Sequence, residues 1–234
     1  MKRHIEKTKS NLSLRLALLM LTVLTIVGAA QAATFTVTNT NDSGAGSLRQ
    51  AILAANNVPG ADTVNFTLSN CPCIITLTSG ELVINDDLTI LGPGANQLTV
   101  SGNNTSRVLH IGKRSVFTLL INVVTLDALT VTGGNSDSLD GGGIFNDGGT
   151  LTISNSTVFN NTSNADGGGI ANQDEGTIKT YNSAVYNNSA GGYGGGIANF
   201  NGSSLTLVNS TVSNNLANRE GGGIDNFSAN LKLV

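Results

Sequence analysis

A right-handed parallel β-helix is the fold this sequence predicts, on three observations. The segment Gly-Gly-Gly-Ile-x-Asn occurs four times, at Gly141–Asn146, Gly167–Asn172, Gly194–Asn199 and Gly221–Asn226, with starts 26, 27 and 27 residues apart. A second block, Asn155-Ser156-Thr157-Val158, returns as Asn182-Ser183-Ala184-Val185 and Asn209-Ser210-Thr211-Val212 with the same period. Within each copy the apolar residues alternate with period two, as in Ile144 then Asn146 and Leu151 then Ile153, which is the spacing of strands and not of helices. A fixed period means stacked copies. Three consecutive glycines would cost a helix about 2 to 3 kcal/mol, so helical repeats of similar length are excluded.

Three short strands per copy, each returning to the same place one coil later, predict coils about 4.8 Å apart joined by parallel ladders. Ile144, Ile170, Ile197 and Ile224 should then form one internal column. Leu151, Ile178, Leu205 and Leu231 form a second, and Val158, Val185 and Val212 a third. Two asparagine series keep the period as well: Asn146, Asn172, Asn199, Asn226, and Asn155, Asn182, Asn209. Stacked at one coil spacing, each amide can donate to the next, which keeps a polar group near the core satisfied. The pairs Asn160-Asn161, Asn187-Asn188 and Asn214-Asn215 read as turns, because asparagine tolerates left-handed backbone angles.

Residues 1–32 read as an export signal. Lys2, Arg3, Lys7, Lys9 and Arg15 precede an apolar run from Leu16 to Val27, too short to span a bilayer, and Ala30-Gln31-Ala32 is a signal-peptidase site. Cleavage leaves seven basic against 14 acidic residues, a net charge of −7, with the basic residues scattered. Neither nucleic acid nor an anionic membrane is a fitting partner for such a chain. No transmembrane segment is expected in the mature part, and a solenoid of this kind is expected to be a monomer. The 29 glycines, the absence of tryptophan and the 12 % of charged residues suit a stacked β architecture better than a globular α/β one.

Residues 33–70 read as an N-terminal cap. They hold the one helix candidate, 47–56, with Ser47 as N-cap and Leu48, Ala51, Ile52 and Ala55 on one face. An amphipathic helix there would cover the open first coil. The β-helix itself is expected over 71–234. Leu231-Lys232-Leu233-Val234 aligns with Leu205-Thr206-Leu207-Val208 and stops before the next block, so the expectation is a fragment of a longer protein, ending in mid-coil. Cys71 and Cys73, with one residue between them, suit a local disulfide or a surface thiol pair better than a zinc site, which needs further ligands.

The run Phe35-Thr36-Val37-Thr38-Asn39-Thr40-Asn41-Asp42-Ser43-Gly44-Ala45-Gly46-Ser47-Leu48-Arg49-Gln50-Ala51-Ile52 resembles the N-terminal segment of exported bacterial β-helix proteins named for a Cys-Ser-Leu-Arg-Glu-Ala motif, with Gly46 and Gln50 in place of its Cys and Glu. The Gly-Gly-Gly-Ile-x-Asn copies are similar to the passenger repeats of polymorphic outer-membrane proteins and autotransporters. The resemblance implies an extracellular or outer-membrane setting and an adhesive role, with a surface glycan or a protein of a host or neighbouring cell as partner. Fold alone does not establish that role.

Chemistry is sparse. Parallel β-helices include pectate lyases and polygalacturonases, but the Gly-His-Gly, Asn-Thr-Asp and Arg-Ile-Lys triplets of the latter are absent, and no basic residue recurs along a coil face to hold a sugar acid. His110, the one histidine beyond the signal, alternates with Val108 as a strand residue and reads as structural. The best constellation is Asp140 and Asp166, each just before a triple glycine, where Tyr193 and Glu220 stand in the later copies. Adjacent coils would bring the two carboxylates roughly 5 Å apart, near the separation of a retaining glycosidase pair. The same oxygens could ligate a calcium-like cation, and solvated turn acids are commoner than either. The leading expectation is a non-catalytic surface or secreted scaffold; the alternative is a polysaccharide-active enzyme of the β-helix class.

Overall fold

The computed structural model describes residues 31–112, 121–137 and 139–234. Residues 1–30 of the expected signal lie outside this range. Among the described residues, all the strand pairing is parallel and the strands stack as a β-solenoid of about seven turns. No helix in it is long and apolar enough to cross a membrane.

Three long faces wrap the core. An eight-stranded sheet runs from Thr34–Val37 to Asn230–Leu233, and two six-stranded sheets run from Leu82–Ile84 to Ile224–Phe227 and from Cys73–Thr76 to Thr211–Ser213. A fourth ladder of two-residue strands, from Asn135–Ser136 to Leu216–Ala217, was not anticipated and lies just before each glycine loop. It is built of residues such as Thr162-Ser163 and Ser189-Ala190, too short for alternation to register in the sequence.

The predicted columns are in register. Ile144 pairs with Ile170, Ile170 with Ile197, and Ile197 with Ile224. Leu151, Ile178, Leu205 and Leu231 align likewise, as do Val158, Val185 and Val212. The columns continue into the irregular N-terminal half, where Leu82 and Leu109 extend the isoleucine row and Ile75, Val100 and Val131 the valine row. Leu109 and Val124 stand 15 residues apart where Ile144 and Leu151 stand 7 apart, while Val100 and Leu109 are 9 apart where Val131 and Ile144 are 13 apart. A longer connection on one side and a missing glycine loop on the other hide the period without disturbing the stack.

The first asparagine series is the internal amide ladder that was expected. Asn146 Nδ2 donates to Asn172 Oδ1 (2.7 Å), Asn172 to Asn199 (2.7 Å) and Asn199 to Asn226 (2.6 Å). Asn146, Asn172 and Asn199 are fully buried. The second expected ladder is misplaced. Asn155, Asn182 and Asn209 are exposed and left-handed, at φ 48°, 48° and 47°, and the Asn155 amide donates outward to Asp127. The inner ladder is made instead by the second member of each asparagine pair, with Asn161 donating to Asn188 and Asn188 to Asn215 at 3.0 Å each. The first member, Asn160, Asn187 or Asn214, takes the left-handed turn at φ 52° to 54° and so aims its successor inward.

The helix, α1 (Leu48–Ala55), forms where predicted, with Ser47 Oγ accepting the Gln50 N–H and Leu48, Ala51, Ile52 and Ala55 buried. The cap is smaller than 33–70, because Thr34–Val37 and Asp62–Phe66 already form the first two strands of the eight-stranded sheet, with Phe35 on Val64 and Val64 on Ile90. The covering element is α1, which packs on Leu82–Ile84, the end strand of its sheet. An exposed end strand presents unpaired backbone groups. Along this edge and its flanks Arg49 donates to the carbonyls of Gly80 and Glu81, Asn56 Nδ2 donates to Val83 O, and Asn56 Oδ1 accepts the Asn85 N–H. Cys71 and Cys73 are joined in a disulfide.

Arg49 is held in turn by Asp42 (2.7 Å). Burial pushes the Asp42 carboxyl up, but hydrogen bonds from Ser79 and Arg49, with that from Thr78 and the charge of Arg49, bring it down to about 2. A depressed carboxyl contributes stability above its unfolded value near 3.8 and loses it as the pH falls through about 2. Urea titrations at pH 7, 4, 3 and 2 should show Asp42→Asn costing about 1 to 2 kcal/mol at neutral pH, allowing for solvent screening, and the gap to wild type closing between pH 4 and 2. A gap independent of pH would refute the assignment.

Candidate functional site

Each glycine loop is a backbone device. Its first glycine is left-handed, at φ 71°, 65°, 62° and 67° for Gly141, Gly167, Gly194 and Gly221. Its second glycine lies against main chain, so that a Cβ on Gly142 would stand 2.2 Å from Thr162 O. In the first three loops the third glycine lies against the inner asparagine ladder, with a Cβ on Gly143 falling 2.9 Å from the Asn161 side chain. The loop N–H groups donate forward to the next loop, as Gly141 does to Asp166 O (2.9 Å) and Gly167 to Tyr193 O (2.9 Å). The most conspicuous motif of the sequence is therefore accounted for by packing.

The acidic residue before each of the first two loops leans on the following coil. Asp140 Oδ1 accepts the Asp166 N–H (3.0 Å), and Asp166 Oδ1 accepts the Tyr193 N–H (2.7 Å). The expected pair is thus brought together on adjacent coils, with one oxygen of each carboxylate engaged by backbone. Both line a groove of about 430 Å³. One wall consists of Asp140, Asp166, Tyr193 and Glu220 from the loops. The other consists of Gln173, Phe200, Asn201 and Phe227 from the ends of the isoleucine strands, with Asp225 between. Sequence reasoning missed this second wall, although Gln173 aligns with Asp147 and Phe227 with Phe200, so a search of each repeat for its outward residues could have found it.

The groove is acidic, with Asp140, Asp166, Glu220 and Asp225 lining it. Burial raises the Asp140 carboxyl, assisted by the charge of Asp166 and opposed by the Asp166 N–H and by Arg107. Burial also raises Asp225, with Glu220 and Asp166 adding repulsion. Arg219 lies over the Tyr193 ring at 5.3 Å. Among the described residues, no three His, Cys, Asp or Glu side chains converge as a metal site.

His110 stands apart from these walls. Its strand position lies between Val83 and Phe145, its ring is 5.0 Å from that of Phe145, and its Nδ1 is 3.4 Å from Glu81 Oε1. Glu81 also pairs with the buried Arg107 (2.8 Å), whose guanidinium lies 4.8 Å over Phe145. Neither Glu81 nor Arg107 was singled out by the sequence, because neither recurs with the repeat.

Comparison with family models, with curated proteins and with solved structures finds no match to the chain.

Proposed function

We propose that this chain is an exported, non-catalytic solenoid scaffold that holds a neutral glycan in the groove between Asp140 and Phe227. The observation that carries this reading is the composition of the groove: carboxylates and Tyr193 from the loops, facing aromatic rings and amides from the strand ends, spread over successive coils. Carboxylates fixed by backbone N–H groups keep a free oxygen to accept sugar hydroxyls, and charge-assisted bonds of that kind are the stronger ones. Tyr193, Phe200 and Phe227 offer apolar ring faces to the C–H side of a pyranose. A polyuronate would meet four carboxylates, each like-charge contact costing roughly 1 kcal/mol at 4 Å even in water.

The alternative is a glycoside-cleaving enzyme. It is favoured by one observation, that Asp140, its carboxyl raised by burial, accepts the backbone N–H of Asp166 on the next coil, since two carboxyl groups brought side by side are what such chemistry uses.

Calorimetry with cellohexaose, maltohexaose and hexagalacturonate, alongside an assay for new reducing ends, separates these readings. The expected result is binding of a neutral hexasaccharide without turnover, weakened about tenfold, or roughly 1.4 kcal/mol, by the double change Asp140→Asn and Asp166→Asn. Preferential binding of hexagalacturonate would overturn the proposal. So would binding of none of the three. Reducing ends that vanish in the double variant would establish the enzyme instead.

A further inference from the structure

We infer that Arg107 is the positioning residue of the groove, a side chain that replaces a missing glycine loop and sets the first carboxylate in place. The inference rests on the glycan reading only for its consequence in binding.

The register shows what is missing. Leu109 pairs with Ile144, so Arg107 stands two residues before its strand partner, as Gly142, Gly168 and Gly195 do in the later coils. In those coils each loop's carbonyls receive N–H groups from the preceding loop: Asp166 O and Gly167 O accept from Gly141 and Gly142, and Tyr193 O and Gly194 O accept from Gly167 and Gly168. The loop beginning at Asp140 is the first of the series, and the coil before it lacks the loop that would serve Asp140 O and Gly141 O.

Arg107 serves both. Its Nη2 donates to Asp140 O (2.7 Å) and its Nε to Gly141 O (2.9 Å), so that two donors on one planar edge take the place of two successive backbone amides. The remaining Nη1 donates to Glu81 Oε2 (2.8 Å), which supplies the counter-charge a guanidinium only 5 % exposed requires. Glu81 is itself anchored, its main-chain carbonyl by Arg49 and its carboxylate by His110. A lysine has the charge but not the fork, and cannot meet two adjacent carbonyls and a carboxylate in one plane.

The consequence falls on the groove. With its carbonyl and that of Gly141 clamped, Asp140 presents Oδ1 to the Asp166 N–H, and Asp166 passes the same contact to Tyr193. The wall is built from this end, and Arg107 gives its starting height.

The test uses the whole chain with Arg107→Met, which keeps bulk and removes every donor, and Arg107→Lys, which keeps the charge opposite Glu81. Amide exchange by NMR in Arg107→Met should rise about tenfold at Gly141, Gly142 and Asp166, and stay at wild-type rates at Gly194 and Gly195. The Asp140 carboxyl should titrate at higher pH, and hexasaccharide affinity should drop about fivefold or more. In Arg107→Lys, exchange should still accelerate at Gly141 and Asp166 while the Asp140 titration stays close to wild type. Wild-type exchange at Asp166 in the lysine variant, or in a folded methionine variant, overturns the inference. Should the wild type bind no hexasaccharide, the glycan reading falls, and the exchange and titration results still decide the role of Arg107.

Discussion

Replacing Gly168 by alanine should remove at least about 4 kcal/mol, enough to leave a marginally stable domain unfolded or insoluble. The added Cβ would stand 2.3 Å from Ser189 O, 2.4 Å from Ser189 C and 2.6 Å from Gly195 O, all of them backbone atoms of neighbouring strands and loops. None can rotate away as a side chain would. Nor can the loop retreat, because its own N–H groups are committed to the next coil, with Gly167 donating to Tyr193 O and Gly169 to Gly195 O. Gly202→Ala is the control. Its φ of +76° makes alanine mildly unfavourable, but the nearest atom to its Cβ is Glu175 Cγ at 3.6 Å, so the expected loss is about 1 to 2 kcal/mol. Equal losses at the two positions, by urea denaturation or by soluble yield, would mean that the triple glycines are not there for packing.

The second large effect is expected at Asn172. Asn172→Ala should cost about 3 kcal/mol, because it severs the amide ladder at its middle. Asn199 Oδ1 loses its donor, Gly176 O loses a bond of 3.0 Å, and Asn146 Nδ2 keeps only Gly149 O, all in places closed to water. Asn182→Gly should stay within about 0.5 kcal/mol of wild type, since that side chain is exposed and its left-handed backbone suits glycine. A comparable loss at Asn182 would show that the ladder is not what makes asparagine necessary at these positions. The two cases follow one physical rule: inside the coil each residue is judged by its neighbours one coil up and down, whereas on the outside water relaxes most demands.

The same rule explains the success of the reading in one half and its failure in the other. Between Asp140 and Val234 the coils differ by at most one residue, so residues 26 or 27 apart in sequence are neighbours in space and their columns can be written down directly. Between Leu82 and Ile144 the coils exchange a glycine loop for a longer connection elsewhere, and the columns survive because the strands pair by position in the sheet and not by sequence interval. The helix was legible for a local reason, its apolar face and Ser47 lying within nine residues. The partners of Arg49 at Gly80 and Glu81 lie 31 and 32 residues further on, and no local pattern announces them. The groove was half visible: Asp140 and Asp166 precede a motif, while Gln173, Asn201, Asp225 and the two phenylalanines are ordinary outward residues until the coil sets them opposite.

By itself, then, the sequence determined the stacked coil, the three aliphatic columns, the Asn146 ladder and the buried face of α1, because each depends only on spacing along the chain. Only the tertiary structure decided which of two equally periodic asparagines turns inward, how α1 and Arg107 satisfy edges that the repeat leaves open, and which side chains share a groove. The period copies inner and outer positions with equal fidelity. What separates them is the sign of φ at a turn residue such as Asn160, together with the identity of whatever lies one coil away, and neither is written in the interval between repeats.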